Sequence, residues 1–233
     1  MRTRIKICGL TREADVDAAV EAGVDAVGFV FYGPSPRNVS IQQAQRMVRR
    51  LPAWMSAVGL FVNASRHQMI EVADQVGLSH LQLHGDEPPE RCTELGRPVI
   101  KAIRVTPGVA ADRAQSRHEA DRVLNAMMAY MDCQAVLFDA DSVGFGGSGK
   151  TFDWSLIEDV LTRSPRLRST WVLSGGLESQ SVVQAIARLR PPCVDVSSGV
   201  ELLQNGVTVK GLKDAKRIME FVAAVRTADA LQV

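Results

Sequence analysis

Cys8, Gln82, His84 and Asp139 stand at the ends of short β-rich apolar runs, and Arg37 follows another such run within Pro34-Ser35-Pro36-Arg37. These are residue types of proton transfer and anion capture. A strand-end cysteine facing a polar mouth is biased toward the thiolate by nearby helix N-termini, which makes it a candidate base. A lone cysteine deep in a core is inert instead. Asp139 closes the apolar run Val136-Leu137-Phe138, where a carboxylate is costly without a partner. It is either a satisfied turn residue or a carboxyl with a raised pKa that acts as an acid. Arg37 is either a solvated side chain or a bidentate holder of a planar carboxylate. Gln82 and His84 share one strand face, and the favoured reading of His84 is an orienting residue rather than a proton carrier.

Three later loops are rich in Gly and Ser: one carries Gly146 and Gly147, the next Gly175 and Gly176, the last Ser197, Ser198 and Gly199. Glycine has no Cβ, so backbone N–H groups there can approach an anion closely. A following helix N-terminus adds partial positive charge. One such loop alone reads as a tight turn. Two at adjacent strand ends read as a phosphate site.

Some scaffold must gather these distant positions. The short apolar runs are Ile5–Cys8, Ala26–Phe31, Ala57–Val62, His80–His84, Val99–Arg104, Ala135–Asp139, Thr170–Leu173 and Val194–Val196, one per roughly 29 residues. Amphipathic stretches between them predict helices, among them Arg12–Ala22, Ile41–Leu51, Arg66–Val76, Pro88–Leu95 and Gly211–Val225. Ser40 with Gln43, and Ser65 with Gln68, fit capping boxes. The stretch from Pro107 to Tyr130 predicts a surface helix with an approach loop. Strand and helix in alternation imply parallel βαβ units, and strands apolar throughout imply cover on both faces. The fold class expected is α/β, one (β/α)8 TIM barrel over residues 1–233, whose strand C-terminal ends and last two loops are the usual places for chemistry and phosphate. A doubly wound open sheet is the structural rival.

Composition narrows the function. The 233 residues are 46% hydrophobic and 23% charged, with a formal net charge of +1. A near-neutral chain without a long basic run is a poor generic nucleic-acid binder, and nothing approaches the roughly 20 apolar residues of a membrane span. The four cysteines form no CxxC pair, and no secretory h-region opens the chain. These features predict a reduced, cytoplasmic, soluble protein, monomer or homodimer, that binds neither nucleic acid nor membrane.

Lys6-Ile7-Cys8-Gly9-Leu10-Thr11 resembles the opening signature of the phosphoribosylanthranilate isomerases of tryptophan biosynthesis. The resemblance continues through Gly28–Phe31, Ser35-Pro36-Arg37, Gln82–Glu87, Gly146–Gly149 with Phe152-Asp153-Trp154, Leu173–Leu177, Asp195–Glu201, and Lys210-Gly211 with Lys213-Asp214. Ser148 and Ser174 depart from it mildly, standing where Thr and Ala are usual. The resemblance implies a phosphosugar substrate and an Amadori rearrangement of aminoaldose to aminoketose. Cys8 aligns with the general base, Asp139 with the general acid and Arg37 with the holder of the anthranilate carboxylate; Gln82 and His84 line the substrate. A modest depression of the Cys8 pKa would supply thiolate. The iminium formed on ring opening acidifies the C2 proton, so no metal or other cofactor is implied. The Gly-rich loop 140–151 is expected to close as a lid. Other phosphosugar barrels are the enzyme rivals: the histidine-pathway isomerase uses two Asp, and indole-3-glycerol phosphate synthase uses Lys and Glu. A non-catalytic phosphosugar binder is the alternative of another class.

Overall fold

The computed structural model describes residues 2–106, 113–140, 153–164 and 171–232. Eight parallel strands close into a barrel in chain order. They are β1 (Arg4–Cys8), β2 (Ala26–Phe31), β3 (Ser56–Phe61), β4 (His80–Leu83), β5 (Val99–Val105), β6 (Ala135–Ala140), β7 (Trp171–Leu173) and β8 (Cys193–Val196). The helices are α1 (Glu13–Glu21), α2 (Ile41–Val48), α3 (Arg66–Val76), α4 (Arg113–Ala129), α5 (Trp154–Arg163), α6 (Ser179–Leu189) and α7 (Ala215–Ala230). Closure is made by β1, which pairs Cys8 with Gly28 on one side and Lys6 with Asp195 on the other. The open-sheet rival is thereby excluded.

Alternation along each strand sorts the side chains. Ile5, Ile7, Phe29, Phe61, Phe138 and Trp171 face outward and are sealed in one core with the helices. Phe138 and Trp171, on adjacent strands, tilt together with centroids 5.8 Å apart. The barrel interior holds smaller apolar groups. Ala102, Leu137 and Val172 cluster among themselves, and Cys8, Val30, Leu60 and Val62 form a separate cluster. The buried polar side chains of these strands, among them Lys6, Gln82, Asp139 and Asp195, make the site.

Arg66–Val76 and Ala26–Phe31 match the sequence reading, and Thr170 lies outside the described residues. The capping boxes are half formed. Ser40 and Ser65 accept from the Gln43 and Gln68 backbone N–H at 3.2 Å, but the Gln43 amide is engaged by the Thr11 carbonyl at 2.6 Å.

Two helix expectations are corrected. Pro88–Leu95 is a single 3-10 turn, Pro89–Arg91. Two consecutive prolines lack N–H donors, and left-handed Glu94 and Gly96 (φ +57 and +68) turn the chain before a helix can extend. Gly211–Val225 is not one helix. A hairpin, β9 (Glu201–Gln204) with β10 (Val207–Lys213), stands between β8 and α7. The α7 helix begins only after Asp214, whose carboxylate accepts from the Lys216 and Arg217 N–H groups at 2.8 and 3.2 Å.

Candidate active site

Cys8 ends β1, Asp139 is the next-to-last residue of β6, and His84 directly follows β4; all three are buried. His84 bridges across the mouth: its Nε2 is 3.0 Å from Asp139 Oδ2, and its Nδ1 is 3.1 Å from the Gln82 amide nitrogen. With that amide donating to Nδ1, the Nε2–H donates to an ionised Asp139, and Gln82 Oε1 is left buried without a partner. Turning the amide over reverses the chain. Nδ1–H then donates to Oε1, and Nε2 accepts a proton-bearing Asp139 hydroxyl. The trio accommodates both protonation states of Asp139 with the same number of bonds. Gly175 gives Asp139 its room: a Cβ there would stand 2.6 Å from the Ala140 nitrogen and 3.2 Å from Asp139 Oδ1.

Beneath Cys8 lies a buried ion pair. Lys6 Nζ donates to both Asp195 oxygens, at 2.9 and 3.0 Å. Burial opposes the charge on Lys6, yet Asp195 outweighs it and holds the ammonium above its ordinary pKa, with Cys8 contributing through a hydrogen bond. The expected depression at Cys8 is not found. Burial dominates and pushes the thiol up, and the opposing pull of Lys6 and Lys213 does not reverse it. Gly28 makes the space, since a Cβ there would meet Cys8 Sγ at 2.9 Å and Lys6 Nζ at 3.1 Å.

Arg37 is not a solvated side chain. It is 6% exposed, and its Nε and Nη2 clasp Glu201 at 2.7 and 2.9 Å. Its stem crosses Gly9, where a Cβ would lie 2.5 Å from Arg37 Cδ and where φ is +77. The side chain is thus held over Gly9 with one edge of its guanidinium given to Glu201, which leaves the Nη1 edge for a second planar carboxylate. Glu201 also accepts from the Gly211 N–H at 2.9 Å and from Lys213 at 3.3 Å. Burial pushes Glu201 up, but Arg37 and Lys213 pull it below the usual carboxylate range.

Lys213 reaches the last loop, donating to the Ser197 carbonyl at 2.9 Å and to its hydroxyl at 3.3 Å. Gly175 and Gly176 have φ of +86 and +63, and Ser198–Val200 is a 3-10 turn rather than a helix start. The two loops touch: a Cβ on Gly199 would stand 1.9 Å from the Leu177 carbonyl oxygen. Gly146, Gly147 and the remainder of the expected lid, 141–151, lie outside the described residues.

Sequence reasoning missed Lys6, Asp195, Glu201 and Lys213 as members of the site. Their signal was a charge within a strand-length run, which must be paired when buried.

Burial drops the Lys213 pKa from 10.5 to about 8, with Arg37 adding to the fall and Glu201 opposing it. Between those values the unfolded chain holds a proton that the folded chain has lost, so Lys213 adds stability as pH rises. Urea unfolding of the parent and of Lys213→Met should therefore diverge, in the parent's favour, by roughly 3 kcal/mol between about pH 7.5 and 10.5. A difference constant over that range would refute the shift.

A family model described as N-(5'-phosphoribosyl)anthranilate (PRA) isomerase matches residues 5–224. An N-(5'-phosphoribosyl)anthranilate isomerase of Methylibium petroleiphilum is 50% identical over 99% of this chain and 97% of its own. The crystal structure of the phosphoribosyl anthranilate isomerase of Thermotoga maritima superposes with a TM-score of 0.80 at 40% identity, over 97% of this chain and 99% of that one. A further structure of such an isomerase, in complex with reduced 1-(o-carboxyphenylamino)-1-deoxyribulose 5-phosphate, gives 0.77 at 37% identity over the same shares. A match across nearly the whole barrel, from β1 into α7, places this chain in the N-(5'-phosphoribosyl)anthranilate isomerase family.

Proposed function

We propose that this chain converts N-(5'-phosphoribosyl)anthranilate to 1-(2-carboxyphenylamino)-1-deoxyribulose 5-phosphate, a step of tryptophan biosynthesis, by general acid–base catalysis. The observation that carries the reading is a thiol and a carboxyl buried at one barrel mouth, in a chain of this family. Asp139 protonates the furanose ring oxygen, and the ring opens to an iminium. Cys8 then takes the C2 proton, and the enolamine tautomerises to the ketone. The iminium cation forms beside Cys8 and favours the thiolate at that moment, which offsets the effect of burial. His84 and Gln82 hold Asp139 in position and follow its protonation. Arg37 presents its second edge to the anthranilate carboxylate. Gly175, Gly176, Ser197, Ser198 and Gly199 hold the phosphate, and Lys213 supplies positive charge beneath Ser197. Gly146 and Gly147 belong to the same proposal, as does closure of the loop 140–151.

Phosphoribosylanthranilate generated in situ from anthranilate and phosphoribosyl pyrophosphate provides the assay. Its fluorescence should fall on addition of the purified chain, with no metal beyond that of the generating enzyme. A folded protein giving no turnover would leave the phosphosugar binder in its place.

A further inference from the structure

The β4–β5 crossover carries no α-helix, only the Pro89–Arg91 turn, and a buried ion pair stands outside β5. Val99, Ile103 and Val105 of β5 belong to the outer core, while Ile100 and Ala102 pack with the interior cluster. Alternation therefore sets Lys101 on the outer side of the wall, away from His84, which meets Asp139 inside. Lys101 gives its three donors to the Gly85 carbonyl at 2.7 Å, Glu87 Oε2 at 3.0 Å and the Leu83 carbonyl at 3.3 Å. Glu87 accepts from the Asn63 N–H at 2.7 Å and from the Gly85 N–H at 3.0 Å. Tyr130 adds to the pair: its ring centre is 5.5 Å from Lys101 Nζ, and its hydroxyl donates to the Glu87 carbonyl at 2.8 Å.

Lys101 has no donor left for a ligand, and it and Glu87 are at most 2% exposed. A buried ion pair is weak evidence for stability, since apolar residues of like volume often do as well. What this pair fixes is a conformation. The two carbonyls that Lys101 holds belong to the residues on either side of His84, and the His84 N–H itself donates to the Phe61 carbonyl at 2.8 Å. Gly85 is packed as closely: a Cβ there would stand 2.5 Å from Asn63 Oδ1 and 2.8 Å from the Asn63 nitrogen.

We propose that Lys101 and Glu87 are positioning residues for the rearrangement: from outside the barrel wall they fix the His84 backbone, and through it the Asp139 carboxyl. This role rests on the reading of Asp139 as the acid. Neither Lys101 nor Glu87 touches the reacting atoms. With the backbone fixed, only the side-chain torsions of His84 remain, and Gln82 and Asp139 set those. A misplacement of about 1 Å in such a support can cost on the order of 10²-fold in rate.

Lys101→Met combined with Glu87→Gln removes both charges together, so no lone charge is buried. It keeps an amide oxygen to accept from Asn63 and Gly85, while the Leu83 and Gly85 carbonyls lose their ammonium. In this variant kcat is expected to fall about 10-fold with KM within about twofold of the parent. In a His84→Asn background the same two changes should lower kcat by less than about twofold, because the residue they act through is gone. The imidazole nitrogen NMR signals of His84, identified by their loss in His84→Asn, should move in the variant, while those of the exposed His67 and His118 stay in place. Lys101→Arg serves if the neutral variant does not fold. It keeps the charge pair, but a planar fork cannot take a point charge's place between two carbonyls, and the same changes are expected in smaller measure. An equal loss of kcat with and without His84, or unmoved His84 signals in a folded variant, would overturn the proposal. The NMR readout needs no turnover, so an inactive parent would count against the isomerase reading and leave the fixing of His84 to be decided by the spectrum.

Discussion

Asp139→Asn is expected to lower kcat for the rearrangement by at least about 10²-fold, or roughly 2.7 kcal/mol of transition-state stabilisation. The substitution is a sharp one because it is nearly isosteric. Asn keeps an oxygen facing His84 and fits the space left by Gly175, so the barrel should fold and melt as before. It cannot give up a proton to the furanose oxygen. The loss should fall on kcat, since the carboxyl is asked to act on a charge that develops only in the transition state. His84→Asn separates the roles further. An orienting histidine costs less when removed than the acid it orients, so this variant should retain more activity than Asp139→Asn. A purified Asp139→Asn protein with kcat within about threefold of the parent would remove Asp139 from the mechanism.

The second large effect is expected at Cys8. Cys8→Ala should also lose at least about 10² in kcat, and what remains should be slow at a different bond. With the base gone, removal of the C2 proton limits the reaction, so substrate deuterated at C2 should show a larger isotope effect than with the parent. Cys8→Ser tests chemistry against shape. It keeps a hydrogen-bonding group of similar size within reach of Lys6, but its hydroxyl is a far weaker acid than a thiol, so it should resemble Cys8→Ala rather than the parent. Unchanged turnover in Cys8→Ala, or an unaltered isotope effect alongside the loss, would point to another base.

The strands were the legible part of the fold. Runs such as Ala26–Phe31 are apolar on both faces because helices cover one and the barrel interior the other, and their ends could be read from the polar residue that follows. The missing helix after β4 was obscured by its own punctuation. Pro88 suits a first helical position, but Pro89 and Gly96 enclose too short a span for a helix. The β9–β10 hairpin had a plain signal that was passed over: Asn205-Gly206, both at positive φ (53 and 77), between two strand-like runs. In the site, Cys8, His84 and Asp139 were legible because strand-end polar groups point into the mouth. Arg37 was legible as a position but not as a pair. Its partner Glu201 is 164 residues away, and nothing local in sequence joins the two. The direction of the Cys8 shift was misjudged for the same reason, since Cys8 is buried against Val30, Leu60 and Val62, which are distant in sequence.

The pairing of Lys6 with Asp195 also bears on how the molecule comes to exist. The two residues lie 189 positions apart, on the first and last barrel strands to leave the ribosome. A growing chain moves outward at about 5–20 residues per second, so β1 waits many seconds for β8. During that wait Lys6 has no carboxylate to meet. Burying it alone would cost several kcal/mol, so β1 must stay wet and the barrel unclosed. The nascent chain therefore carries its reactive thiol on its least settled strand, and chaperone binding to it should persist until Asp195 has emerged. The enzyme's chemistry is the last thing synthesis completes.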